Sequence, residues 1–117
     1  MDCTTALSTC IAIWLSTHGY LPNQRDAILK QLWTESRLDP CVVAEGGSYL
    51  PQWAGPRLRR AHQVLGPGCP SWDRQLWLVD WELRNEPSFH AFWSAPPGKE
   101  FRVLRQTFGR GEQAALP

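Results

Sequence analysis

Ile28-Leu29-Lys30-Gln31-Leu32-Trp33-Thr34-Glu35-Ser36-Arg37-Leu38-Asp39-Pro40 is the stretch on which the reading of this chain turns. Ile28, Leu29, Leu32 and Trp33 recur at helical spacing. Upstream, Asn23 can cap the helix, with Gln24, Arg25 and Asp26 in its first turn and the acid near the positive end of the helix dipole. Downstream, Pro40 disfavours helical geometry at Asp39, so the spacing predicts a helix from about Gln24 to Arg37. Glu35 follows Leu32 at helical spacing and continues the apolar stripe toward the packed side. It also falls in the last turn, where the helix dipole is negative. That position and partial burial both disfavour an ionised carboxylate and are expected to raise its pKa.

A carboxylic acid that keeps its proton near neutral pH can protonate a leaving oxygen, as a glycosidase general acid must. The alternative is a glutamate at the edge of a core helix that reaches out to water. Pro40 then opens a long loop, 40–56, holding Gly46, Gly47, Pro51, Gly55 and Pro56. Weak strand signals at 41–44 and 49–50 allow a short hairpin. Loops of this length inside a small domain are usually functional.

Glu35-Ser36, Leu38-Asp39-Pro40, a Gly-rich loop, Gln52-Trp53 and an Arg-rich helix occur here in that order. Together they resemble the phage-tail lysozyme branch of the lysozyme-like superfamily, near the goose-type lysozymes and lytic transglycosylases. That branch typically shows Glu-Ser, a Leu, Asn-Pro or Asp-Pro, and a loop ending in Gly-Leu-x-Gln-Trp. The likeness continues more weakly from Gln75 to Glu86. It implies a mainly α, lysozyme-like domain of about six helices with a minimal β-hairpin in the 40–56 loop. It implies Glu35 as the catalytic acid, with Ser48, Tyr49, Gln52 and Trp53 lining a groove for a peptidoglycan glycan strand. The bond at issue would be the β-1,4 link between N-acetylmuramic acid and N-acetylglucosamine, cut by hydrolysis or by lytic transglycosylation. A second carboxylate, where one is used, would be Asp39 or Glu45. Many relatives work with a single glutamate.

One departure stands out. Tyr49 occupies the position of the family's glycine, and Pro51 is also unusual. Glycine there permits positive φ and close approach of the backbone. A tyrosine would block a subsite or demand a rearranged loop. A second expectation therefore stands beside the first: a lysozyme-like module that binds glycan or serves a structural role without catalysis. A third is an all-helical interaction domain whose likeness is accidental, with no cleft beside Glu35.

The chain has 117 residues, enough for one domain with a core, read as 1–117 with 110–117 a frayed tail. It is 43% hydrophobic and 20% charged, which argues for a folded protein rather than disorder. A formal net charge of +1 gives no electrostatic case for nucleic acid. No apolar run approaches the roughly 20 residues that span a bilayer. The first residues lack the basic start of a secretory signal, so action at a cell wall (periplasmic, extracellular or virion-associated) implies another route, such as carriage in a larger phage or secretion assembly. No cofactor is called for.

Of the four cysteines, none form a Cys-x-x-Cys pair, so a zinc site is not expected. Cys10 reads as a buried thiol on the first helix. Cys41 and Cys69 lie in proline-flanked loops, and the sequence leaves open whether they are bridged or free. His18, His62 and His90 fit no metal-ligand spacing.

The remaining helices follow from periodicity. Thr4 or Thr5 can cap a first helix with Leu7, Cys10, Ile11, Trp14 and Leu15 on its apolar face, ended by Gly19. Pro56 suits the first turn of a third, with Leu58, Ala61 and Leu65 inward and Arg57, Arg59 and Arg60 outward. Ser71 can cap a fourth that runs to about Asn85, apolar over most of its surface and so expected at the centre. A short helix begins at Ser88. A last one carries Phe101, Leu104 and Phe108 and closes at Gly109. Among seven tryptophans, Trp14, Trp33, Trp77 and Trp81 fall at core spacing. Trp53 is the leading groove candidate, since indole can stack on a sugar face; Trp72 and Trp93 rank behind it.

Overall fold

Six α-helices and one two-stranded hairpin make up the chain in a computed structural model that describes Cys3 and residues 6–114, with side chains described through Phe108. In order they are α1 (Leu7–Thr17), α2 (Pro22–Ser36), β1 (Val43–Ala44), β2 (Gly47–Ser48), α3 (Gly55–Leu65), α4 (Trp72–Asn85), a 3-10 turn (Pro87–Phe89), α5 (His90–Trp93) and α6 (Glu100–Ala114). The mainly α class with a minimal hairpin is as expected. The radius of gyration, 13.4 Å, is that of a close-packed chain of this length.

Each helix end has a local cause. The capping threonines proposed for α1 lie outside the described residues. Its C-terminus closes in a Schellman pattern, with Tyr20 N donating to Leu15 O and Gly19, at φ 92°, in the left-handed position. α2 starts earlier than expected. Pro22, whose fixed φ suits a first helical turn, opens it, and the Gln24 side chain accepts a hydrogen bond from Leu21 N at 2.9 Å. Asn23 is therefore inside the first turn and is not the cap. α2 ends at Ser36 because Arg37 (φ 55°) and Leu38 (φ 60°) both turn left-handed, before Pro40 is reached. The last helix does not stop at Gly109 but runs on to Ala114. Gly109 and Gly111 each cost the helix only about 1 kcal/mol, which does not by itself end it.

The hairpin is tight: Val43 pairs with Ser48 and Ala44 with Gly47, so the second strand comes earlier than the 49–50 signal suggested. α4 packs against α1, α3, α5 and the 3-10 turn, which makes it the hub, while α2 lies between α1 and α6. Ile11, Leu15, Leu32, Leu50, Trp53, Leu76, Leu83, Phe92 and Leu104 are at most 1% exposed and share one cluster. Two corrections concern α3 and the cysteines. Arg57 faces inward, not outward. Cys10 is no free thiol: it is bonded to Cys3, and Cys41 is bonded to Cys69.

Candidate active site around Glu35

Glu35 sits on the last turn of α2 with its side chain 27% exposed. Its Oε1 accepts hydrogen bonds from Gln31 Nε2 and from Arg105 Nη1, both at 2.9 Å. Gln31 is one helical turn back and fully buried, so its amide fixes the carboxyl from the packed side. Arg105 reaches across from α6 and is about half-exposed. The helix terminus and partial burial were visible in the sequence. The facing guanidinium was not, because it comes from the far end of the chain.

Neither proposed second carboxylate is bonded to Glu35. Asp39 is exposed and its Oδ1 accepts from Cys41 N at 3.0 Å, which shapes the turn after α2. Glu45 is exposed at the hairpin tip.

The four residues expected to line a groove are all buried: Ser48 6%, Tyr49 6%, Gln52 7% and Trp53 0% exposed. Their segment is a closed turn. Ser48 and Trp53 exchange both backbone hydrogen bonds at 2.9 Å, and Gln52 N donates to Tyr49 O. Gln52 turns its amide inward onto Tyr49 O at 2.9 Å. Gly47 is required here, since a Cβ would meet the Gln52 carbonyl oxygen at 2.4 Å. Trp53 corrects the sequence reading most clearly. Its Nε1 donates to Glu82 Oε1 at 2.9 Å, and Arg57 grips the same carboxylate through Nε (2.7 Å) and Nη2 (3.0 Å). This indole is a core anchor, and its burial leaves no face for a sugar.

Tyr49 resolves differently from either expectation. Its backbone takes φ 72°, the left-handed conformation for which glycine is favoured. The ring then points inward, and its hydroxyl is hydrogen-bonded to His62 Nε2 at 3.1 Å. The side chain is removed from the surface, and the backbone path of a glycine is kept.

Surface tryptophans are also redistributed. Trp33, Trp77 and Trp81, expected in the core, are 51%, 51% and 38% exposed. Arg37 covers the Trp33 ring at 3.8 Å and Arg60 the Trp81 ring at 5.2 Å. Elsewhere, burial, together with a 2.5 Å hydrogen bond to Asp80, pushes the Tyr20 hydroxyl well above the ordinary tyrosine pKa. The same Asp80 raises Arg84.

Beside the end of α2 opens a cleft of about 500 Å³, lined by Cys3, Leu7, Arg37, Leu38, Asp39, Pro40 and Trp72. Glu35 is not among its walls, though the cleft begins two residues further on. No metal site adds to it: the described residues contain no group of three or more His, Cys, Asp or Glu placed to hold an ion.

No protein-family model matches this chain, and neither does any curated protein or solved structure. Of the residues singled out in the sequence, Glu35 is partly exposed on α2, Asp39 bonds Cys41 N in the turn after it, and Trp72 lines the cleft. Sequence reasoning missed Gln31 and Arg105, which hold Glu35, and the Trp53–Glu82–Arg57 cluster. Glu82 could have been found: it lies between Val79 and Leu83 on the mostly apolar side of α4, and an acid there demands a buried partner.

Proposed function

We propose that this chain is a peptidoglycan-cleaving muramidase with Glu35 as general acid, acting on the β-1,4 bond between N-acetylmuramic acid and N-acetylglucosamine. The observation that carries the reading is the Glu35 carboxyl: half-buried, at the end of a helix, oriented by a fully buried amide, and reachable from solvent. The left-handed Tyr49, at the position where the resemblance requires glycine, supports the same alignment.

In this mechanism Glu35 donates its proton to the glycosidic oxygen as the bond to the anomeric carbon breaks and positive charge develops on the sugar ring. Gln31 holds the carboxyl in place throughout. Proton donation requires the Arg105 guanidinium, about half-exposed and 2.9 Å from Glu35, to give way to substrate. Asp39, whose Oδ1 is engaged by Cys41 N, and the exposed Glu45 at the hairpin tip are the acids available for a second role, and a single-glutamate route needs neither. The sugar cation is then captured by water or by the substrate's own hydroxyl, with Glu35 taking back the proton. Two disulfides suit an oxidising setting, in keeping with action at the cell wall from the periplasm, the outside or a virion-borne assembly.

A second reading is a glycan-binding or structural module on the same fold. The Glu35–Arg105 ion pair favours a module without catalysis, and the burial of Ser48, Gln52 and Trp53 favours its structural form. Turbidity loss of purified peptidoglycan separates the two, with Glu35→Gln beside wild type and mass analysis of the products. Clearing by wild type alone supports the acid, and a reducing or anhydro end tells hydrolase from transglycosylase. No clearing, with the protein pelleting on the wall, favours the module.

A further inference from the structure

We infer that the cleft between α1 and the loop after α2 is a saccharide-binding subsite, taking one or two N-acetylhexosamine rings of a glycan chain. The choice of ligand class rests on the proposed function; the cleft itself does not. Its walls combine the half-buried Trp72 indole with Leu7, Leu38 and Pro40, and place Arg37 and Asp39 at an exposed rim. A pyranose has an apolar C–H face that stacks on indole and an edge of hydroxyl and acetamido groups that both donate and accept. One cation and one carboxylate at the rim match such a neutral, two-way edge better than they match an anion or a cation. A volume of about 500 Å³ falls within the range of small-molecule sites.

The cleft is also held rigid. Cys3, on one wall, is tied to α1 through Cys10. The opposite wall is tied through Cys41 to Cys69, and Gln75 Nε2 binds Pro40 O at 2.8 Å. Arg37 and Leu38, adjacent wall residues, both hold left-handed backbone that non-glycine residues rarely adopt. Backbone of this kind persists only where its surroundings impose it, and it clusters at binding sites.

The test titrates the N-acetylglucosamine trimer into the full, disulfide-bonded chain and follows backbone and indole N–H resonances. The expected result is a shift of the Trp72 indole and of the amides of Arg37, Leu38, Asp39 and Cys41. Trp72→Ala should weaken binding roughly tenfold, the scale of one lost stacking contact. Because Trp72 is partly buried, the exposed Arg37→Gln provides a second variant, expected to weaken binding several-fold, with spectral changes outside the cleft confined to Trp33, whose ring Arg37 covers. No shift at millimolar trimer overturns the inference. So do shifts confined to the exposed Trp77 and Trp81, or binding indifferent to both variants. Turbidity assays on the same samples keep the two claims apart. Clearing of peptidoglycan without cleft shifts sinks the subsite and leaves the muramidase. Cleft shifts without clearing do the reverse.

Discussion

Arg105 places its guanidinium 2.9 Å from the carboxylate of Glu35, from a helix that begins 64 residues after α2 ends. Both side chains are partly in water, so screening keeps such a pair weak, typically below about 1 kcal/mol. A double-mutant cycle with Glu35→Gln and Arg105→Gln in urea should return a coupling of that size. A coupling several times larger would mean that Glu35 is a structural residue, and the catalytic reading would lose its footing.

The buried pair behaves otherwise. Arg57 and Glu82 are 8% and 3% exposed at their side chains, and Trp53 bonds the same carboxylate. Removing one partner strands a buried charge, which costs about 3–5 kcal/mol. Glu82→Gln should lower the urea midpoint sharply, while Glu86→Gln, which breaks only the more exposed bond to Arg60, should barely move it.

At Tyr49 two effects oppose each other. Tyr49→Gly relieves a left-handed conformation worth about 1–2 kcal/mol but empties a buried ring site worth about 3–5 kcal/mol. Packing wins, and the glycine variant should be less stable by roughly 1–4 kcal/mol. Tyr49→Phe loses only the His62 hydrogen bond and should cost about 1 kcal/mol. Thermal unfolding ranks the two, and a more stable glycine variant would refute the argument.

Alkaline pH offers a separate check. The folded Tyr20 pKa lies above its unfolded value, so its hydroxyl adds stability that is complete below the unfolded value, near pH 10. That contribution fades as pH climbs from there toward the folded value. Phenolate absorbance should therefore report Tyr20 ionising only above the normal tyrosine range or together with unfolding. Tyr20→Phe should remove that delayed step.

Reduction should weaken the cleft before the core. The Cys41–Cys69 bridge closes a 28-residue separation, worth roughly 3–4 kcal/mol by loop entropy. Cys41→Ser/Cys69→Ser should lower Tm markedly, with the helical circular dichroism at low temperature largely kept.

Much of the fold was legible because periodicity reports which helix face is apolar. It does not report how far that face is covered. Trp77 and Trp81 widen the stripe of α4 in sequence, yet both stay in part open to water, Trp81 beneath only the Arg60 side chain. On α3 the buried line is Arg57, Ala61 and Leu65, itself a helical spacing, but charge made Arg57 look external. Glu35 stood out from its place on α2, and Gln31, one turn back, was within reach of the same helical spacing; Arg105 was not, because a contact 70 residues apart leaves no local trace. The tryptophan of Gln52-Trp53 suits a sugar platform and a core equally in sequence, because indole serves both. Only the acid on α4 decides between them.

Gln75 joins three segments through one amide: Oε1 takes the Leu50 N–H, and Nε2 gives to Pro40 O and Pro70 O. In the language of hydrogen exchange, the 40–41 loop, the 48–53 turn and the 69–70 segment form a single opening unit. Their amides should lose protection together rather than in sequence. Leu50 N–H, buried at the centre, becomes the slow reporter of that shared opening.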